Sequence, residues 1–176
     1  MRTAQLCREF DLQVHYTVFP LHPETPDEGV SLEEMFAGRL DVPAMLRRLS
    51  QVAESLELPF SERRHTYNSR RAQELGKWAE HQGQGEAFQD ATYRAYFAEG
   101  KNIAQRGVLT EIAGTIGLDT SEADRVLQEG RYADQVDADW ERAQTNAVTA
   151  VPTLTYGDRS LVGFQSYENF RKLISD

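Results

Sequence analysis

The sequence contains one cysteine, and its placement does not match that of a catalytic thiol. Cys7 is the only cysteine among the 176 residues. A nucleophilic cysteine usually lies at the N-terminus of a helix or beside a base, where the thiolate is favoured. Cys7 instead lies late in a short predicted helix, next to Leu6 and three residues before Phe10. We therefore expect a structural thiol that packs as a small hydrophobic side chain.

The histidines and carboxylates do not show the spacing of a metal site. The four histidines are not spaced as metal ligands, and no Cys-x-x-Cys motif accompanies them: His15, His22, His65 and His81. Acidic pairs such as Glu33-Glu34 fall on the polar faces of predicted helices, where solvated carboxylates are usual. The sequence also lacks a nucleophile elbow, a phosphate-binding loop and a dinucleotide fingerprint. We expect no metal and no resident cofactor.

Basic residues cluster before one of the predicted helices. Arg63-Arg64-His65 is followed by Arg70-Arg71, on either side of Asn68, a good N-cap residue. Such a cluster could receive an anion at a helix N-terminus. It is equally the ordinary charged start of a helix, and we favour that interpretation.

A proline lies within a run that otherwise predicts a strand. Val151, Thr153, Leu154, Thr155 and Tyr156 are mostly β-branched or aromatic, whereas Pro152 cannot donate to a ladder. A proline is tolerated at the first residue of a strand or at an edge, and only an X-Pro bond adopts the cis form cheaply. Spacing alone favours a trans proline that starts a strand. The alternative is a fixed cis turn that leaves a backbone edge available to another chain or ligand.

Composition indicates a globular chain and limits its partners. The net charge is −9, from 28 acidic and 19 basic side chains, so we expect no nucleic-acid partner. No apolar run approaches the length of a membrane span, and residues 1–10 lack the apolar centre of a secretory signal. One cysteine fits a reducing compartment. We expect a cytoplasmic protein without a membrane partner.

Hydrophobic periodicity predicts β structure near both ends and helices between them. Residues 2–10 resemble the end of a helix, and Leu12–Phe19 alternates as a strand does. Three prolines and a glycine then exclude regular structure over 20–29. Helices are predicted at 31–37, 41–56, 68–83, 86–99, 107–116, 121–129 and 131–146. A hairpin follows, with strands at 151–156 and 160–163 around Gly157-Asp158, and Ser166 caps a last helix.

This order predicts an α/β protein with two regions. The β-containing ends, 1–29 and 147–176, form one discontinuous sheet domain, because neither end buries its faces alone. Residues 30–146 form an all-helical insertion. Within the helix at 41–56 these apolar residues recur at helical spacing: Met45, Leu46, Leu49, Val52, Ala53 and Leu56.

Several segments together resemble the DsbA family of thioredoxin-fold proteins, and within it the FrnE-like branch. The resemblance covers nearly the whole chain and rests on these segments: His22–Pro26 with Glu28-Gly29, Asn68 with Ala72, Tyr93–Ile103, Val148–Thr153 and Gly163–Glu168. It implies a thioredoxin-like fold with a large helical insertion, in which Pro152 is the cis-proline of the substrate groove. It also implies these substrate-binding residues: Val151, Pro152, Thr153, Asn68, Tyr96, Phe97 and Gln165. For Tyr96 and Phe97 the alternative is aromatic packing between helices, which the sequence favours equally.

The sequence departs from the family pattern at its beginning. The family opens with a strand that leads into a Cys-x-x-Cys motif at a helix N-terminus, whereas Met1 falls inside the corresponding helix and Cys7 lies too far along it. About 20 residues, a strand and the first turns of a helix, are expected to be missing. Ala147 and Ala150 also stand where the family commonly has glycines, which narrows the allowed backbone angles there.

Three functions follow from the resemblance. The first is a thiol–disulfide oxidoreductase or isomerase acting on protein or peptide substrates, with a cysteine pair encoded upstream of Met1 and no catalytic residue in the chain as given. The second is a redox-inactive module that binds an extended peptide by β-addition, or a second copy in a swapped homodimer. The third is a glutathione-using enzyme similar to the kappa-class transferases and hydroxychromene-carboxylate isomerases, with glutathione as substrate or ligand.

Overall fold

The computed structural model describes residues 2–175, which divide into two compact units. One unit is Met1–Leu21 with Asp137–Asp176, and the other is His22–Val136. The predicted domain boundaries, after residues 29 and 146, stay a prediction. In chain order the first elements are α1 (Arg2–Phe10), β1 (Val30–Ser31), α2 (Leu32–Phe36), α3 (Val42–Ser55), β2 (His65–Thr66), α4 (Arg70–His81) and α5 (Gly85–Tyr93). They are followed by α6 (Arg106–Thr115), α7 (Thr120–Glu129), α8 (Ala133–Thr145), β3 (Thr153–Tyr156), β4 (Arg159–Val162) and α9 (Tyr167–Ser175).

The 22–136 unit is built around the apolar faces of α4, α5, α6 and α7. Its fully buried side chains include Leu75, Phe88, Leu109 and Val126. Each recurs at helical spacing with other apolar residues of its own helix, which is why the four helices were predictable from periodicity. A smaller cluster joins α2 to α3 through Leu32, and its other members are Val42, Leu46, Phe36, Met45 and Phe60.

The predicted helix at 86–99 ends in a π-helical turn. α5 is regular to Tyr93, and Arg94–Ala98 then forms one wider turn. The Glu99 N–H donates to the Arg94 carbonyl, five residues earlier, as in a π-helix. The apolar pattern predicts the helix but not the wider turn, because the buried positions Thr92 and Ala95 fit both.

Helix starts in the 22–136 unit follow the expected caps, with one correction. Ser31 and Asp41, the first residues of the helices predicted at 31–37 and 41–56, accept from the N–H groups of Glu34 and Ala44. The N-cap of α4 is Ser69 rather than Asn68, whose side-chain oxygen accepts from the N–H of Arg70. Asn68 therefore stabilises the helix start from one residue before the N-cap. Its amide nitrogen binds the loop that precedes β1.

The apolar stripe predicted for α3 is only partly buried. Leu46 and Ala53 are buried, whereas Leu49, Val52 and Leu56 are exposed. Periodicity identifies the apolar face of a helix but does not tell whether the same chain covers all of it.

A two-stranded ribbon next to α2 was not predicted. β1 pairs antiparallel with β2, Val30 opposite Thr66 and Ser31 opposite His65. Gly29 precedes it with a φ of 87°, and a Cβ there would lie 2.4 Å from the Tyr67 ring. Two-residue strands carry no alternation, so periodicity could not find them.

The other unit joins α1 and α9 with the predicted hairpin. β3 and β4 pair antiparallel from Thr153 opposite Val162 to Tyr156 opposite Arg159. Gly157 has a φ of 61°, which a two-residue hairpin turn requires and glycine accepts. Leu6 of α1 and Leu173 of α9 are buried.

Polar contacts between α1 and α9 support this packing. The Glu9 carboxylate accepts from the Tyr167 hydroxyl and pairs with Arg171 at 2.7 Å. These contacts hold the two terminal helices against each other at the surface.

The strand predicted at 12–18 does not form among the described residues. The segment is irregular, and the Val18 N–H donates to the Asp139 carboxylate at 3.0 Å. A strand needs a neighbour to complete its hydrogen bonds, and β3 pairs only with β4 in the described chain. The alternation of Leu12, Val14 and Val18 therefore forms no strand ladder within the described residues. His15 is exposed.

No helix within residues 2–175 is long and apolar enough to cross a membrane.

Candidate functional site

The run around Pro152 forms a turn at the start of the hairpin. The Val151–Pro152 bond is cis, the isomer that the family resemblance implies. The Pro152 carbonyl accepts from the Gly163 N–H at 2.7 Å, which extends the hairpin ladder by one bond beyond Thr153 and Val162. The turn is therefore held on its C-terminal side by the sheet.

Val151 presents an unpaired backbone at this turn. The residue is 45% exposed. Within residues 2–175, neither its N–H nor its carbonyl forms a hydrogen bond. An exposed residue with a free donor and a free acceptor next to a hairpin is a place where an extended chain could add by backbone pairing.

Neighbouring side chains fix the geometry of the turn. The Thr153 hydroxyl donates to the Ala150 carbonyl at 2.6 Å, closing the loop before the cis bond. Gln165 donates to the Val162 carbonyl at 2.7 Å, and its side-chain oxygen accepts from Asn169 at 2.9 Å. Gln165 thus links the end of β4 to α9, and its predicted role in binding substrate stays a prediction.

The loop that enters the turn adopts a backbone conformation that favours glycine. Ala147 has a φ of 52°, and the Val148 N–H donates to the Ala143 carbonyl at 2.9 Å. This is the left-handed residue that often ends a helix, here just after α8, and it is usually glycine. The family resemblance implies a glycine where this chain has Ala147, and the left-handed backbone explains why glycine would suit the position.

Tyr96 and Phe97, predicted to line the site, form an aromatic cluster within the 22–136 unit. Their ring centroids are 4.8 Å apart, and both rings are half-buried. The Arg63 guanidinium lies 4.5 Å from the Tyr96 ring centroid and 5.2 Å from that of Phe97. It also donates to the Tyr96 hydroxyl at 2.8 Å, while that hydroxyl meets Thr66 at 3.0 Å. Arg63 is thus a packing residue that sequence reasoning identified only as part of a basic cluster.

Asn68 binds the proline-rich loop within the same unit. Its amide donates to the Pro23 carbonyl at 3.0 Å and to the Thr25 carbonyl at 2.8 Å. Asn102 adds a third bond, to the Asp27 carbonyl at 2.8 Å. These contacts give Asn68 a structural role, and substrate binding by Asn68 stays a prediction.

Arg70 and Arg71, at the start of α4, are engaged within the protein, in line with the charged helix start that we favour. Arg70 pairs with Glu74 at 2.7 Å and donates to the Ala133 carbonyl at 3.0 Å. Arg71 pairs with Asp27 and donates to the Ala104 carbonyl at 2.9 Å.

The predicted site residues thus fall into two groups. Val151, Pro152, Thr153 and Gln165 meet at the hairpin, whereas Asn68, Tyr96 and Phe97 belong to the 22–136 unit. Cys7 is a half-buried free thiol in α1. Over residues 2–175 no group of three or more metal-binding side chains comes together.

Comparison with known proteins gives the family. The model of the DSBA-like thioredoxin domain matches residues 2–175. The chain belongs to the DSBA-like thioredoxin family. Its fold is the DsbA-like thioredoxin fold, rich in helix with few short strands. The finer assignment to the FrnE-like branch stays a prediction.

Relatives of this DsbA-like chain include proteins with and without a named activity. It is 31% identical over 100 residues to the YwbO protein of Bacillus subtilis (strain 168), a match that covers 56% of this chain and half of the length of that relative. A probable DsbA oxidoreductase of Streptomyces coelicolor superposes with a TM-score of 0.86 at 24% identity, over 97% of this chain and 79% of that one. A 2-hydroxychromene-2-carboxylate isomerase gives 0.74 at 19% identity, over 99% and 84%. At these identities the structural matches show the fold alone.

Proposed function

We propose that the protein binds an extended peptide or protein chain along the Val151–Pro152 edge and serves in thiol–disulfide exchange. The observation that carries the proposal is Val151, a residue that is 45% exposed and whose backbone forms no hydrogen bond within residues 2–175, beside a turn held by Thr153 and Gly163. Main-chain bonds to an added strand give affinity without demanding a particular side-chain sequence. This suits an enzyme of broad protein substrates, and the DSBA-like family supports it.

The exchange chemistry needs a cysteine pair that the 176 residues do not contain, since Cys7 is alone. In our proposal the pair is encoded upstream of Met1, at a helix N-terminus. One thiolate attacks the substrate disulfide, forming a mixed disulfide and releasing the other substrate sulfur as a thiolate. The second cysteine then attacks the mixed disulfide, so that the substrate leaves reduced and the enzyme pair is oxidised. Oxidation of a substrate dithiol is the reverse of these steps.

Reading the genomic frame upstream of Met1 tests the chemical half of the proposal. We expect a strand ending in Cys-x-x-Cys, and the extended protein should then reduce or form disulfides in a model substrate. A stop codon directly upstream would exclude this source of the pair and leave the peptide-binding module as the function.

Peptide binding can be tested on the chain as it stands. The probe is reduced and carboxymethylated ribonuclease A, an unfolded chain without free thiols. Val151→Pro removes the backbone donor and should weaken binding about tenfold, because it deletes one main-chain bond and blocks close approach. Val151→Ala keeps the donor and is the matched control. Equal binding by both variants would contradict backbone pairing at this edge.

Glutathione binding distinguishes the third function, that of a glutathione-using enzyme, from the other two. Likeness to the isomerase concerns the fold alone, so binding must be measured directly. Calorimetric titration with millimolar glutathione should give no heat with this chain if the proposal holds. Heat that disappears in Val151→Pro would instead support a glutathione-using enzyme.

A further inference from the structure

Strand β4 and helix α9 border a shallow depression that the proposed function does not use. Its volume is about 380 Å³, at the lower end of the range for small-molecule sites. Both elements belong to the same compact unit and supply its lining: Arg159, Ser160, Leu161, Asn169, Lys172 and Leu173. Arg159 is at the turn end of the hairpin, whereas the Val151–Pro152 edge adjoins the opposite end. The depression is therefore separate from the proposed peptide edge.

One side chain of the lining carries a charge that the protein leaves without a counter-ion. Arg159 is half-buried and forms no ion pair within residues 2–175. Its Nη1 nitrogen is buried and has no hydrogen-bond partner in the described part of the chain. An arginine keeps its proton, so the charge stays in place. Buried donors are nearly always satisfied, and an exception beside a depression favours an anion as the missing partner.

The hairpin orients this guanidinium before any ligand binds. Arg159 is opposite Tyr156 in the ladder, and its guanidinium carbon lies 5.7 Å from the centroid of the Tyr156 ring. A cation at this distance is attracted to the face of the ring. A side chain that is already held in this way loses less conformational entropy on binding.

The remaining lining indicates what kind of anion fits. Leu173 is buried and Leu161 is half-buried, and together they give the depression an apolar wall. A planar carboxylate matches the two-pronged guanidinium, and an apolar body matches the two leucines. We infer that the depression binds a small organic acid, with its carboxylate on Arg159 and its apolar body on Leu161 and Leu173.

The second cation of the lining has a minor role in this arrangement. Lys172 already pairs with Glu168 at 3.1 Å, and both side chains are exposed. The acid could gain Lys172 only by displacing Glu168. Among the described residues that line the depression there is no carboxylate to compete for Arg159, which is therefore the anchor.

Titration with sodium hexanoate, followed through the backbone amide resonances of isotopically labelled protein, tests the site. Resonances of residues 159–161 and 169–173 should shift and saturate at millimolar to tens of millimolar acid, and uncharged hexanamide should leave them in place. Arg159→Gln should weaken binding about tenfold or more, because it removes the anchoring charge. Arg142→Gln removes the same charge from an exposed residue of α8 outside the lining and is the matched control. Absence of saturable shifts, or equal weakening in both variants, would overturn the inference.

A second variant covers the case in which Arg159→Gln does not fold. Ser160 is an exposed residue of the lining, and Ser160→Asp adds a carboxylate that repels the acid. Hexanoate should bind this variant about tenfold more weakly. Unchanged binding by folded Ser160→Asp would contradict a site at this depression.

Inorganic phosphate distinguishes an organic acid from an unspecific anion. Phosphate has no apolar body to place against the leucines, so it should bind more weakly than hexanoate. Phosphate binding that is as tight or tighter would contradict the assignment to an organic acid. Val151→Pro should bind hexanoate as the wild type does, and a loss there would contradict a site separate from the peptide edge.

Discussion

At Gly29 the structure predicts that substitution by alanine lowers the unfolding free energy strongly. The cost of the steric contacts can be separated from the cost of the left-handed backbone. It precedes β1 with a φ of 87°. The Cβ of an alanine would lie 2.4 Å from the Tyr67 ring and 2.7 Å from the Thr66 carbonyl oxygen. Gly83 is a matched control, since it has a φ of 73° and nothing within 4 Å of the added carbon.

The magnitude follows from two separate costs. A left-handed backbone costs an alanine about 1–2 kcal/mol at either position. At Gly29 the contacts add about 1–3 kcal/mol, because one of the two groups is backbone and cannot rotate away. Gly29→Ala should therefore lower the unfolding free energy of the 22–136 unit by about 2–5 kcal/mol, and Gly83→Ala by about 1–2 kcal/mol.

Two tryptophans make the measurement specific. Trp78 is buried in the 22–136 unit, whereas Trp140 belongs to the other unit. In a Trp140→Phe background, fluorescence during urea unfolding reports on Trp78. The extra loss in Gly29→Ala should move the urea midpoint down by about 1 M relative to Gly83→Ala.

The reasoning fails if Gly29→Ala costs no more than Gly83→Ala. The close approach of Tyr67 would then be absent in solution. A second change refines the test: Tyr67→Ala combined with Gly29→Ala should recover only part of the loss, because the Thr66 carbonyl remains. Full recovery would mean that the ring alone, and not the ribbon backbone, confines this position.

Three further predictions concern the two units. Ala147→Gly should raise the unfolding free energy of the unit containing the hairpin by about 1 kcal/mol, measured through Trp140, because glycine suits the φ of 52°; no gain would contradict the left-handed conformation. A hydrogen bond to Glu9, followed by burial, raises the pKa of Tyr167 above its ordinary value of 10.0. The contribution of the protonated hydroxyl to the unfolding free energy is complete below pH 10 and is lost as pH rises through the folded pKa. Above about pH 10 the unfolding free energy should therefore fall more steeply with pH in the wild type than in Tyr167→Phe. Identical slopes would exclude the effect. Leu109→Ala should cost about 2–5 kcal/mol in urea unfolding followed through Trp78, since Leu109 is fully buried; a loss below 1 kcal/mol would place it outside the core.

Helices were the most predictable part of the fold. Ser31 and Asp41 cap as their spacing indicates, and the apolar positions of α4 to α7 are buried. These features depend on neighbours in sequence. The strand predicted at 12–18 failed because a strand depends on a partner that the periodicity of Leu12 and Val14 does not reveal.

The candidate site was predictable only in outline. The strand pattern around Pro152 and the family resemblance identified Val151, Pro152 and Thr153 as candidate site residues. That the Val151 backbone forms no hydrogen bond within residues 2–175 is visible only in the structure. The packing of Arg63 on Tyr96 could not be predicted from the sequence, because the two residues are 33 apart in the chain. The exposure of Leu49 was likewise beyond periodicity, which cannot tell a face covered by the chain from one left open.

The loop before β1 has a thermodynamic consequence for its unit. Residues 20–29 contain three prolines, which restrict the unfolded chain, and Thr25 is buried with its carbonyl bound by Asn68. A segment with few unfolded conformations and several long-range hydrogen bonds gains little entropy by detaching. It should therefore unfold together with α4 as one cooperative block, and not act as a hinge that opens below the global transition.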